Sequence, residues 1–64
     1  MTRADRLRAR IAELDARIGG QRMILARLGS GGRHAVLASE LLMRLMEVRD
    51  AYCEALSWSE PPGR

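Results

Sequence analysis

From Leu7 onward, large aliphatic side chains return every third or fourth residue: Leu7, Ile11, Leu14, Ile18, Leu25 and Leu28, with Gln21 in the one polar place. That spacing keeps them on one face of an α-helix and is the heptad pattern of a helix that packs along its length. Ahead of the run, Thr2 and Asp5 stand three apart, where a hydroxyl and a carboxylate satisfy the free amides of a helix start. Gly29, Ser30, Gly31 and Gly32 interrupt the pattern, and glycine suits the left-handed exit from a helix. The spacing then resumes through Ala38, Leu41, Leu45, Val48, Tyr52 and Ala55, with Leu37, Leu42 and Leu56 on its shoulders. Pro61 and Pro62 cannot extend a helix. The pattern predicts an all-α chain with helix 1 over about 3–28, a turn over 29–33 and helix 2 over about 34–57. Residues 1–60 form an antiparallel two-helix hairpin in this reading, and 61–64 a disordered tail.

Charge suggests the register. Arg10 and Arg17 lie seven apart on one shoulder of helix 1, and Glu40, Glu47 and Glu54 lie seven apart on a shoulder of helix 2. Antiparallel folding then sets Arg17 opposite Glu47 and Arg10 opposite Glu54. Exposed pairs contribute about 0–1 kcal/mol each, so they select a register more than they stabilise it.

A chain of 64 residues makes one small domain, and one of this size buries only about 60% of its unfolded surface. A single cysteine and a single histidine exclude an intrachain disulfide and a zinc site built from several such ligands. Self-association is the remaining support. A second line on helix 1, Ala9, Ala12, Ala16, Gly19, Met23 and Ala26, offers a close-approach seam, although alanine is also the best helix former and sits harmlessly on surfaces. Ile24, Leu42, Met43 and Met46 are left without cover by one hairpin, and exposed apolar patches mark interaction surfaces. The expectation is a homodimer in which two hairpins form a four-helix bundle. Its candidate contacts, with itself or another protein, are Ala12, Ala16, Gly19, Met23, Ile24, Leu42 and Met46. Gln21 would either bond its symmetry mate in a core layer or turn its amide outward. The Gly19-Gly20 pair costs a helix about 2 kcal/mol against two alanines, which predicts close packing or a kink there, or a tolerated weak point.

The formal charge is +3, and all eleven basic residues are arginine, the residue suited to planar pairing with carboxylate or phosphate. Arg3, Arg6, Arg8, Arg10, Arg17, Arg22 and Arg27 crowd the first half, whereas most of the acids lie in the second. Two halves that attract one another account for this asymmetry. The alternative is a nucleic-acid face made by Arg3, Arg6, Arg10 and Arg17. Helix 1 has no aromatic to stack on a base, which counts against sequence-specific readout. No catalytic constellation is visible. His34 reads as a capping or solvated residue and Cys53 as a small hydrophobe. The glutamates fall about 10 Å apart per step, too far for a two-carboxylate site. The reading is therefore no enzyme, no cofactor and no metal. An apolar run near the ~20 residues of a membrane span is absent, as is a charged start followed by an apolar leader, so the expected setting is cytoplasmic, off the membrane.

Three resemblances bear on this. Leu7-Arg8, Ile11, Leu14-Asp15 and Ile18 resemble the opening helix of the all-helical chorismate mutases, but that family needs a longer uninterrupted helix, a third helix and basic catalytic residues. Arg17-Ile18, Gln21-Arg22, Ile24, Leu28, Gly32, Ala38 and Leu41-Leu42 resemble a set of short bacterial helical-hairpin proteins of unknown function. The resemblance implies a bacterial hairpin and no activity. In length and shape the chain is similar to the Rop-type plasmid regulators, which implies a dimeric four-helix bundle whose first helices meet paired RNA loops.

Overall fold

A computed structural model describes residues 1–29 and 31–59; Ser30 and the expected tail at 61–64 lie outside the described residues. Two helices pack against each other, α1 over Arg3–Leu28 and α2 over Arg33–Ser59. The first turn of α1 is closed by a reciprocal cap: Asp5 N–H donates to Thr2 Oγ1 at 3.0 Å, and Thr2 N–H donates to Asp5 Oδ2 at 3.1 Å. The Thr2 amide, then its hydroxyl, holds the Asp5 carboxyl below its ordinary pKa. At the other end Gly29 N–H donates to the Leu25 carbonyl at 3.0 Å. Gly29 has φ 79° and ψ −167°, a region open essentially to glycine alone.

The helices run antiparallel. Gln21 meets Ala38, and Asp15 meets Arg49, so contacts step away from the turn in opposite directions along the two helices. On α1 the inward line is the aliphatic heptad as far as Leu25: Leu7, Ile11, Leu14, Gln21 and Leu25 are half-buried and Ile18 is buried. Leu28, expected to close the seam, is exposed because α2 begins only at Arg33 and does not reach over it. On α2 the inward line differs from the expected stripe. It runs through Ala35, Ala38, Leu42, Leu45, Arg49, Tyr52 and Leu56, while Leu41 and Val48 are exposed. The helix is turned so that Arg49, not Val48, occupies the seam. The arginine's aliphatic stem lies along the apolar line and its guanidinium reaches out to Asp15, Nε donating to Oδ1 at 2.5 Å. That bond holds the Arg49 pKa above its ordinary value.

The expected ion pairs are replaced accordingly. Arg10 turns to Glu13 on its own helix at 3.4 Å, and neither Arg17–Glu47 nor Arg10–Glu54 forms. Asp15–Arg49 keeps the same register as those pairs, displaced by two residues along each helix. Gln21 does not turn its amide outward: its Nε2 donates to the Ala38 carbonyl at 3.1 Å inside the hairpin. The buried alanines Ala35 and Ala38 leave its amide room to reach the backbone of α2. Gly19 and Gly20 sit in unbroken helix with no atom within 4 Å of where a Cβ would stand, so close packing within the hairpin does not explain them.

The molecule is a rod of 48 × 16 × 16 Å, too thin for an interior, and no described side chain is fully buried. Leu45→Ala is expected to cost about 1–2 kcal/mol, below the usual range for leucine truncation because Leu45 is half-buried. Met43, 62% exposed, should change stability by less than about 0.5 kcal/mol when cut to alanine. Denaturant melts of the two variants check that Leu45 faces α1 and Met43 does not, and equal losses would refute that placement.

Candidate functional site

The seven candidate contact residues do not share one surface. Ala12, Ala16 and Met23 are exposed on the side of α1 turned away from α2, whereas Gly19, also exposed, borders a groove shared with α2. Leu42 lies half-buried in the seam. Met46 lies on one flank of the hairpin, lining a groove with Asp15, Gly19, Arg22 and Asp50. Ile24 belongs to the opposite flank.

That opposite flank carries both a groove and a run of exposed aliphatic side chains. Arg10, Arg17, Leu14, Val48 and Tyr52 line one groove there, which places the Arg10–Arg17 side of α1 beside the Val48 side of α2. Seven-residue steps keep a side chain on the same side of a helix. They carry Arg3, Arg10 and Arg17 onward to Ile24, and carry Val48 back to Leu41. Leu28 and Leu37 extend the same side to the turn. The half nearest the turn is therefore apolar, with Ile24, Leu28, Leu37, Leu41 and Val48 all among the exposed large side chains. The half nearest the termini is basic, with Arg3, Arg6, Arg10 and Arg17.

All four candidate arginines thus fall in one region. Arg3, Arg6, Leu7, Arg10 and Tyr52 line an open groove of about 430 Å³. Arg3 also borders a groove of about 480 Å³ with Ala51, Glu54, Ala55, Trp58 and Ser59. Reading helix 1 alone missed both aromatics, because each arrives from α2. Antiparallel folding sets Tyr52 close to Arg10, so the register could have revealed it. Elsewhere, His34 is exposed and Cys53 is a half-buried free thiol. Among the described residues no three His, Cys, Asp or Glu side chains gather where a metal ion could be held. None of the described helices is long and apolar enough to cross a membrane.

The fold and surface define a two-helix hairpin with an amphipathic outer side. Comparison with known protein families, curated proteins and solved structures gives no match for the chain.

Proposed function

We propose that the protein is a non-enzymatic helical hairpin that self-associates, as a homodimer with a four-helix bundle, and acts through protein–protein contact in the cytoplasm. The carrying observation is the exposed aliphatic half of one side, Ile24, Leu28, Leu37, Leu41 and Val48, drawn from both helices. Covering it removes apolar surface from water at about 25 cal/mol per Å². Total area supports the same reading. The chain exposes 5224 Å², against about 4,100 Å² for a compact monomer of its 7.2 kDa mass. The excess, roughly 1,100 Å², is comparable to the ~800 Å² that each partner brings to a standard interface.

Sedimentation at micromolar concentration should give twice 7.2 kDa, with strong helical dichroism. Ile24→Glu with Leu41→Glu places charge on the apolar half and should abolish the doubled mass. A folded wild-type monomer would overturn self-association. A doubled mass that survives both substitutions would move the contact to the outer side of α1, at Ala12, Ala16, Gly19 and Met23.

A further inference from the structure

We propose that the basic half of the same side is a groove for single-stranded nucleic acid. This goes beyond self-association and needs none of the aliphatic residues near the turn. The grooves described above share lining residues: Trp58 and Arg3 border the first, Arg3, Arg6, Arg10 and Tyr52 the second, and Arg10, Tyr52 and Arg17 the third. The three grooves adjoin one another at Arg3, Arg10 and Tyr52. From Arg3 to Arg17 the grooves follow α1 for roughly 21 Å at 1.5 Å per residue.

The charge along these grooves is only partly neutralised internally. Among the described residues Arg3, Arg6 and Arg17 form no ion pair, and Arg10 has only its exposed contact with Glu13 at 3.4 Å. Glu54 on the rim of the first groove and Glu13 on the rim of the third are the acids that line it. Guanidinium groups so placed present planar donor forks that match phosphate oxygens.

The aromatics point to the kind of polyanion. Trp58 is 83% exposed, an indole standing in water beside Arg3, and Tyr52 is half-buried between the arginines. Aromatic faces interleaved with a basic strip are the means by which proteins hold unpaired bases while the backbone follows the charge. A duplex keeps its bases stacked internally and offers these rings nothing to stack on. Because the grooves read stacking faces rather than base edges, their preference is for strandedness over sequence.

The test uses the full chain and a fluorescently labelled twelve-nucleotide single strand, followed by anisotropy at about 150 mM salt. Competitors are the matching duplex and vesicles containing phosphatidylserine. The single strand is expected to bind at least tenfold more tightly than the duplex. Trp58→Ala, a change at an exposed position that spares the fold, should weaken binding about 5- to 150-fold, the range for loss of one stacked base. Arg3→Gln with Arg6→Gln should lower the slope of log affinity against log salt by about 0.7 for each arginine. Sedimentation should stay unchanged in both variants. Equal displacement by duplex or vesicles, or an affinity indifferent to Trp58→Ala, would reduce the groove to unselective attraction for polyanions and overturn the proposal, as would absence of binding.

Discussion

Ile18→Ala is expected to lower stability by about 2–4 kcal/mol and to leave the chain largely unfolded at 37 °C. Among the described residues Ile18 is the one large side chain that is buried, at 7% exposure. It sits in the middle of α1, in the seam formed with α2. Its removal takes away the transfer free energy of the lost methyl and methylene groups and leaves a gap that the two helices cannot close, because Leu14 and Gln21 hold the turns on either side. A domain of this size has only a few kcal/mol to lose. Ile24→Ala is the matched control, since Ile24 is the same residue type at 49% exposure. In the isolated hairpin it should cost under about 1 kcal/mol. Thermal melts followed by circular dichroism at several protein concentrations check both. Equal losses from the two substitutions would contradict the packing described for α1.

Gly19→Ala with Gly20→Ala should act in the opposite direction and stabilise the hairpin by about 2 kcal/mol. Glycine is roughly 0.8–1 kcal/mol less favourable than alanine in a helix interior, partly because it leaves the unfolded chain freer. The usual compensation, a neighbour that needs the missing methyl, is absent at both positions. The added methyl groups meet open space and only the backbone effect remains. Sedimentation separates the other possible role of Gly19. If the second copy packs on the outer side of α1, the methyl at this position would push the two helices apart and lower the association constant, even as each hairpin becomes more stable. A decrease in melting temperature for the dilute protein would contradict the open surroundings at both glycines.

How far the fold could be read from the residues differs between the two helices. Helix α1 carries most of its large aliphatics on one line, with Met23 and Ile24 off it, and Leu7, Ile11, Leu14 and Ile18 occupy its inward face. Helix α2 has apolar side chains around most of its circumference, including Val36, Leu37, Leu41, Leu42, Met43, Leu45, Met46 and Val48. Several rotations bury similar area, and the choice fell to polar groups that hydropathy scores as outsiders. Arg49 enters the seam because Asp15 waits at its edge, and Gln21 enters because Ala38 exposes a carbonyl within reach. The arginine cluster was legible as composition, whereas its aromatic companions were not. Tyr52 and Trp58 join it only once antiparallel packing brings the end of α2 beside the start of α1.

The buried residues Ile18, Ala35 and Ala38 all lie between the middle of the rod and the turn. Towards the termini, Leu7, Ile11, Tyr52 and Leu56 are only half-buried. The hairpin therefore has a gradient of local opening free energy along its axis. Amide protons near Ile18 and Ala38 should exchange with solvent most slowly, and those of the first and last turns fastest. Opening is expected to start at the termini, away from Ile18, Ala35 and Ala38. That compliant end carries Arg3, Arg6, Tyr52 and Trp58, so a strand entering between the aromatics would meet helices able to spread by a small amount, and its binding would slow exchange over the first two turns of α1 without changing it near Ile18.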